Sequence, residues 1–301
     1  MRDGFFRGAM LGLLAAALPA ASCAKPAATS PAATPFALGA LTLVPLRDEL
    51  NVVPNDGSVF GKGIDPAAVA AVLRKAGAPT DAITLGVDAL LVEMPASARP
   101  RRIVLIDTGL GPSVGGVLAG SLAAAHVAPA AVTDILITHS HGDHVGGRLT
   151  ADGGLAFPNA TIRMASAEWA FLRSHAGQAK LAAAIASKVQ TFAPGAEVVP
   201  GITSVALAGH TPGHVGYRIV SQGRHLIDIG DTAHSAIVSL AKPDWAIGYD
   251  TDATQGEATR RAELATLAAS HEWVFAPHFP YPGVGRIVAA GDGFAWQPGH
   301  P

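Results

Sequence analysis

Hydrophobic residues occur along the chain in short runs that are separated by turn-forming and polar residues. Runs of strand length predict strands at 40–46, 83–94, 101–107, 133–140 and 160–166. Further strands are predicted at 201–209 and 273–278, and 215–231 predicts a hairpin that turns near Gln222-Gly223. The two halves of the chain therefore have a similar organisation.

Helical segments are predicted between these strands, at 65–77, 114–125, 167–173, 178–190 and 257–270. The first of them has the clearest boundaries. Asp65 is a suitable N-cap, Pro66 fits the first helical position, and Gly77 predicts the end of the helix. Strands and helices therefore alternate along the chain.

Several predicted strands end in a carboxylate or an imidazole. The residues in question are Asp107, His139, His210, Asp231 and His278. Side chains at strand ends can meet at one edge of a sheet, where rigid elements hold a site in place. The pattern thus predicts a polar site built from distant parts of the chain.

The N-terminal pattern differs from the rest. Arg2 and Arg7 precede an apolar run at 9–21, which is shorter than the ~20 residues that a membrane span needs. This is typical of an export signal, predicted at 1–22. Cys23 follows the run, and LPAASC resembles a lipobox, so a lipid on Cys23 is one expectation and ordinary cleavage near Ala24 is the other.

The predicted signal is followed by an Ala/Pro-rich segment at 23–36, which is expected to be a flexible tether. A single folded domain is predicted at 37–301. An exported protein of this kind is expected in the periplasm or anchored to a membrane. Because Cys23 is the only cysteine, no intramolecular disulfide is expected.

Composition and charge narrow the choice of partner. Hydrophobic residues make up 49% and charged residues 15% of the chain, which is enough for a large core. The formal net charge is -2 and the chain has no run of Lys or Arg, so a nucleic-acid partner is not expected.

The most informative motif is THSHGDHVGG at 138–147. His139 and His141 point to the same side of an extended segment, and Gly142 lets the chain turn before Asp143 and His144. Imidazole and carboxylate together favour Zn(II), with Fe or Mn as alternatives. A solvated polar loop would not need these residue types at this spacing.

The pattern His139-x-His141-x-Asp143-His144 resembles the signature of the metallo-β-lactamase-fold hydrolases. Later members of that family's ligand set match His210 in GHTPGH, Asp231 in GDTAH and His278 in APHFPYPG. The segments 155–163, 199–224 and 278–296 are similar to methyl parathion hydrolase-type enzymes, a branch related to the N-acyl-homoserine lactonases. The resemblance spans about 40–296 and implies an α/β fold, an αββα sandwich with the metals at the sheet edge.

The resemblance implies two divalent ions. One would lie on His139, His141 and His210, the other on Asp143, His144 and His278, with Asp231 bridging them. Two ions that share a water lower its pKa, and the resulting bridging hydroxide would attack the substrate. Asp143 is expected to orient the hydroxide or to carry a proton.

Other residues have two interpretations each. Asp107 either orients a ligand histidine or is a turn residue, and His214 either supports a ligand or is a structural histidine. In the lactonases a substrate-binding Tyr lies three residues after the bridging Asp; here His234 occupies that position and either replaces it as a catalytic donor or is unrelated. Surface positions are expected for the remaining histidines, His126, His175, His225, His271 and His300.

The expected substrate is a small neutral ester, lactone or phosphotriester. Phe60, Trp169 and Phe171 are candidates for the pocket mouth, with the core as the alternative. A β-lactamase is the rival activity, although β-lactamases of this fold lack the bridging Asp. A non-catalytic metal-binding module is the rival of a different class, and a homodimer is an open expectation.

Overall fold

The structure is a computed structural model that describes residues 29–301 except positions 96 and 99. The predicted export signal at 1–22 and the candidate lipid attachment site Cys23 lie outside the described residues. Among the helices that are described, none combines the length and apolar character that crossing a membrane requires.

The first sheet contains seven strands in chain order, β1 to β7. Their bounds are Phe36–Leu38, Leu41–Pro54, Ala82–Glu93, Ile103–Ile106, Asp134–Leu136, Thr161–Ala165 and Val189–Phe192. Strands β1 to β4 pair antiparallel, and β4 to β7 pair parallel. The parallel part places the ends of β4 and β5 side by side.

The second sheet contains the next seven strands, β8 to β14, again in chain order. Their bounds are Glu197–Val199, Ile202–Ala206, Val215–Ser221, Arg224–Asp228, Trp273–Phe275, Val284–Ala290 and Gly293–Pro298. Only β11 and β12 pair parallel; the other pairs are antiparallel. The predicted hairpin is β10–β11, and Gln222 and Gly223 both have the positive φ that its tight turn needs.

In the described part of the chain, seven α-helices connect and cover these strands. Helices α1 to α7 span Pro66–Lys75, Leu118–Ala124, Gly142–Val145, Ser166–Ser174, Ala179–Ile185, Val238–Ala241 and Ala253–Ser270. Short 3-10 turns lie at Pro112–Val114, Pro129–Ala131, Gly146–Arg148, Ala176–Gln178, Ala186–Lys188 and Gly230–Thr232. The predicted caps of α1 are confirmed, since the Asp65 side chain accepts a hydrogen bond from Ala67 N and Gly77 has a φ of 71°.

The continuous apolar runs are explained by burial on both faces of each sheet. In β3, Leu91 packs toward the helical layer that contains α2, α4 and α5, whereas Leu90 packs between the two sheets. In the second sheet, Leu226 faces the first sheet and Ile227 faces α7. The layers are helix, sheet, sheet and helix, so the predicted αββα sandwich is confirmed.

Residues 29–36, which composition assigned to the tether, contact the domain. Ala33 forms a β-bridge to Leu46, and the carbonyl of Ala32 accepts a hydrogen bond from Arg47 N. The Ala32 amide also donates to Ser121 Oγ. Backbone pairing therefore fixes this segment to the sheet although it offers few large apolar side chains, and the folded part begins earlier than predicted.

Other differences concern short strands. Helix α5 ends at Ile185, and Val189–Phe192 pairs with β6 as β7, where the sequence predicted helix to 190. In the predicted helix at 114–125, only Leu118–Ala124 is α-helical. The pattern does not predict β1, β8, β13 and β14.

Candidate metal centre

All seven predicted ligands lie at one edge of the two sheets. His139 and His141 follow β5, and His141 is the N-cap of the one-turn helix α3, which carries Asp143 and His144. His210 lies between β9 and β10, Asp231 follows β11, and His278 follows β12. The structure therefore brings these strand-end residues together at one edge.

A first group consists of His139, His141, His210 and Asp231, whose ligand atoms all lie within 4.8 Å of one another. His210 Nε2 is 2.8 Å from His141 Nδ1 and 3.2 Å from Asp231 Oδ2. His139 Nε2 is 3.6 Å from the same carboxylate oxygen. This arrangement aims three imidazoles and one oxygen at a common point.

A second group consists of Asp143, His144 and His278, again with ligand atoms within 4.8 Å. The Nε2 atoms of His144 and His278 are each 3.7 Å from Asp143 Oδ2. Both are also 3.1 Å from Asp231 Oδ1. Asp231 therefore lies between the two groups: Oδ2 faces His139 and His210, Oδ1 faces His144, and His278 Nε2 is 3.1 Å from both oxygens.

Unpartnered buried atoms show that this donor set suits cations. Among the described residues, His139 Nε2, His144 Nε2 and Asp231 Oδ1 are buried without a hydrogen bond. The 3.1 Å between His144 Nε2 and Asp231 Oδ1 does not have hydrogen-bond geometry. Buried polar atoms without partners cost free energy, and a cation bound to these three atoms would supply the missing interactions.

The electrostatics point the same way. Burial opposes the ionisation of Asp231, yet His144 and His278 hold the pKa of its carboxyl well below its ordinary value. Burial also opposes a charge on His210, but Asp231 and Asp250 outweigh it and raise the pKa of His210 to about 9. Burial and the neighbouring His210 lower the pKa of His141 to about 4, which keeps that imidazole in its metal-binding form. The carboxylates thus attract positive charge to the atoms that would contact a cation.

This geometry coincides with a family match. The model of the metallo-beta-lactamase superfamily matches residues 83–278, which include every residue of both groups. The chain belongs to the metallo-beta-lactamase superfamily. It is a metal-dependent hydrolase of that superfamily.

Solved structures similar to this hydrolase cover nearly all of the described chain. AidC, a dizinc quorum-quenching lactonase in complex with the product N-hexanoyl-L-homoserine, is 26% identical with a TM-score of 0.83, covering 90% of this chain and 98% of AidC. The hydrolase AbOPH of the beta-lactamase superfamily is 29% identical with a TM-score of 0.81, covering 90% of this chain and 99% of its own. Among curated proteins, the uncharacterized YobT of Bacillus subtilis (strain 168) is 25% identical over 174 residues, which are 54% of this chain and 72% of YobT.

Outer contacts orient the histidines of the hydrolase. His144 Nδ1 donates to Asp107 Oδ2 at 2.7 Å, and Asp107 also accepts from Thr138 N and Oγ1. His278 Nδ1 donates to the carbonyl of Gly86 at 2.6 Å. Of the two interpretations of Asp107, the structure favours the orienting role, because a carboxylate on the outer nitrogen fixes the tautomer and aims Nε2 inward.

His214 supports Asp231 through the backbone. Its Nδ1 donates to the carbonyl of Leu207 at 2.9 Å, and its Nε2 accepts from Asp231 N at 3.1 Å. Burial and the nearby His210 lower the pKa of His214 to about 3, so it is neutral and can accept. His214 is thus a structural histidine that also fixes a ligand residue.

The two groups open into a cavity of ≈ 290 Å³. Besides ligand residues, its lining contains Asn51, Leu85, Gly142, His234 and Tyr249. His234 Nε2 is 3.0 Å from Asp231 Oδ2, but neither ring nitrogen of His234 makes a hydrogen bond to a described residue. Its ring stacks on His278, with centroids 5.2 Å apart, and is 1% exposed.

The aromatic residues predicted at the pocket mouth lie elsewhere. Phe60 is 3% exposed and packs in a core cluster with α1. Trp169 packs against the helical side of the first sheet, and Phe171 makes an edge-on ring contact with His175, the C-cap of its helix. None of the three lines the cavity, so of the two interpretations the core is the observed one for Phe60, and Tyr249 is the aromatic side chain at the cavity. The five histidines predicted on the surface are exposed, as expected.

Two buried carboxylates near the centre were missed. Asp250 Oδ1 accepts from His210 Nδ1 at 2.9 Å, and Glu168 binds the loops on which His139, His141 and His210 lie. In the sequence, Asp250 lies close to the N-cap of α7, and Glu168 is an ordinary first-turn acid of α4. Nothing in their local patterns distinguishes them from helix-terminal acids, so only the tertiary contacts reveal them.

Proposed function

We propose that the protein is an exported hydrolase with a dinuclear metal centre that cleaves small neutral ester-type substrates: a lactone, an aryl ester or a phosphotriester. The observation that carries the proposal is the position of Asp231. Its carboxylate lies between the two groups of ligands, contacts histidines of both, and opens with them into one cavity.

The residues divide into two sets of ligands. His139, His141 and His210 would hold one ion, Asp143, His144 and His278 the other, and Asp231 both. Their imidazole and carboxylate donors fit Zn(II), with Fe or Mn as alternatives. When bound, such ions lower the pKa of water and polarise the scissile bond, so the protein needs no nucleophilic side chain.

Two side chains of the cavity are suited to act on substrate and water. Asp143 is the most exposed ligand carboxylate, with 25% of its side chain accessible, and it can accept a proton from a water in the cavity. Burial lowers the pKa of His234 to about 4, so the ring is neutral and keeps one N–H. Because both of its nitrogens lack partners, His234 can donate this N–H to a substrate oxygen.

The lining of the cavity favours neutral substrates. No Lys or Arg is among the described residues that line it, whereas Leu85 and Tyr249 offer apolar surface. An anionic substrate would find no counter-charge apart from the ions. Because the similar structure AidC is that of a lactonase, a lactone is the first member of the class to test.

Metal analysis with a substrate panel tests the proposal. We expect two ions per chain and hydrolysis of a homoserine lactone, an aryl ester or paraoxon, with little turnover of nitrocefin. Asp231→Ala should lose metal and activity together, while Asp152→Ala, at an exposed loop position, should keep both. Rapid nitrocefin turnover without ester or lactone turnover would favour a β-lactamase, and an active Asp231→Ala variant with two ions would refute the bridging role.

Export and lipid attachment form a separate part of the proposal, and they rest on the sequence of residues 1–23. Expression with labelled palmitate should label the wild type but not Cys23→Ala. If the wild type is exported without label, ordinary cleavage near Ala24 is the better interpretation.

A further inference from the structure

The Glu168 carboxylate lies at the start of α4, is 0% exposed and accepts four hydrogen bonds. Ser140 N and Oγ donate to Oε1 at 2.7 and 2.5 Å. Thr211 Oγ1 and Gly213 N donate to Oε2 at 2.6 and 3.1 Å. Within the described part of the chain, Glu168 has no ion-pair partner, so hydrogen bonds alone stabilise its buried carboxylate.

The four donors come from the two loops of the first ligand group. Ser140 lies between His139 and His141, and Thr211 directly follows His210. One side chain therefore links the segments that carry all three histidines of that group. Because a protein carboxylate offers about four acceptor positions, its capacity matches the donors present.

The packing around this link leaves little freedom. A Cβ on Gly213 would collide with the backbone nitrogen of Glu168, so the His210 loop lies directly on α4. On the other side, Gln178 Nε2 donates to the carbonyl of Ser140 at 2.6 Å. The first-group loops thus contact both α4 and the 3-10 turn that follows it.

The second ligand group has a different support. His144 is held by Asp107, and His278 by the Gly86 carbonyl. Glu168 makes no hydrogen bond to either of them or to Asp143. Glu168 thus contacts only the loops of the first group, where Asp250 also binds His210, whereas Asp107 binds His144 of the second group directly and Thr138 beside His139.

We propose that Glu168 is a positioning residue that sets the metal affinity of the His139, His141 and His210 site and leaves the other site unaffected. The inference rests on the proposed dinuclear centre. Glu168→Gln retains the shape of the side chain but turns an amide NH₂ toward at least one of the donors. Loss of an outer contact typically weakens metal binding by about 10–100-fold, which is the change expected at this site alone.

The test measures both dissociation constants for Zn(II) by competition with a chromophoric chelator. Glu168→Gln should raise the dissociation constant of the first site by about 10–100-fold and leave that of the second site unchanged. Asp107→Asn should raise the dissociation constant of the second site, because Asp107 binds His144. Glu197→Gln is the matched control, because Glu197 is exposed and accepts one backbone hydrogen bond from Gly201, so both constants should stay as in the wild type.

Single-site backgrounds assign the affected ion. In His278→Ala, which weakens the second site, Glu168→Gln should still weaken the remaining ion; in His210→Ala it should not. If Glu168→Gln fails to fold, Thr211→Val removes one donor with little change of shape and should give a smaller loss at the same site. Cobalt(II) absorption of the first site should shift in the same variants.

Three results separate the possibilities. Unchanged constants in both Glu168→Gln and Thr211→Val overturn the positioning role while the dinuclear centre stands. Equal weakening of both sites also overturns it, because that indicates general loosening of the fold. A wild type that binds one ion refutes the dinuclear centre itself.

Discussion

The contact between Asp250 and His210 offers a prediction that can be worked out in magnitude. Asp250 Oδ1 accepts from His210 Nδ1 at 2.9 Å, and Oδ2 is 3.4 Å from Arg260 Nη1. The Asp250 and Arg260 side chains are each 1% exposed. Asp250 thus links a proposed ligand to a buried cation, and its replacement should change both metal binding and stability.

The loss of metal affinity at the first site depends on whether the replaced side chain can still accept a hydrogen bond from His210 Nδ1. Asp250→Ala removes the acceptor for His210 Nδ1 and should weaken the first site by about 10–100-fold, or roughly 1.4–2.8 kcal/mol. Asp250→Asn keeps a neutral carbonyl acceptor that can still fix the tautomer of His210. We expect its loss of affinity to be about tenfold, at the lower end of this range.

The stability effect arises at Arg260. Removing one partner of a buried ion pair costs about 3–5 kcal/mol, because the other charge stays buried. Arg260 keeps two backbone acceptors, the carbonyls of Pro243 and Trp245, so the lower end of that range is expected for Asp250→Asn. The double variant Asp250→Asn/Arg260→Met removes the unpaired charge and should recover part of the loss.

Two assays follow these effects separately. Urea unfolding of the metal-free protein gives the free energy of unfolding, and chelator competition gives the affinity of the first site. If Asp250→Asn/Arg260→Met is less stable than Asp250→Asn, the unpaired guanidinium is not the cause of the loss. If Asp250→Ala binds both ions as tightly as the wild type, the contact to His210 Nδ1 does not orient the ligand.

Three further substitutions test the fold around the site. Tyr217→Phe removes the hydroxyl that donates to the Ile137 carbonyl at 2.7 Å between the sheets. Urea unfolding should show that the free energy of unfolding falls by about 1–3 kcal/mol, and an unchanged urea midpoint would contradict this. Burial raises the pKa of Asp88 well above its ordinary value, so the folded protein loses stability as the pH rises from about 4 toward that raised pKa. Asp88→Asn should therefore gain stability relative to the wild type as the pH is raised from 5 to 8, and a constant difference over this range would count against the buried carboxyl. Gly147→Ala should lower the melting temperature, because its methyl group would collide with a backbone carbonyl oxygen and overpacking costs about 1–3 kcal/mol, whereas Gly177→Ala, with nothing within 4 Å, should not.

The sequence predicts the centre well because each of its ligands follows a strand. The end of a strand is a local property that an apolar run reveals, and the parallel pairing of β4 with β5 and of β11 with β12 brings such ends together. Ligand candidates such as His139 and Asp231 can therefore be identified from the sequence alone. The αββα layers follow from the family resemblance and from runs that are buried on both faces.

What the sequence does not predict depends on tertiary contacts. Glu168 and Asp250 resemble helix-terminal acids until their partners on other loops are known. Phe60 is apolar, and apolar character alone cannot distinguish the core from a pocket. The strand Val189–Phe192 follows an Ala-rich helical run, and only its pairing with β6 makes it a strand.

The order of the strands has a consequence for how the protein assembles. The first sheet is made entirely from residues up to Phe192 and the second entirely from residues from Glu197 onward. Both proposed ion sites draw ligands from both halves: Asp231 contributes to each, His210 to one and His278 to the other. An ion can therefore be fully coordinated only after the two sheets have docked. Ions bound at the proposed sites would then act as a reversible cross-link between the two halves, and a chain cut between β7 and β8 should regain its metal only when the fragments reassociate.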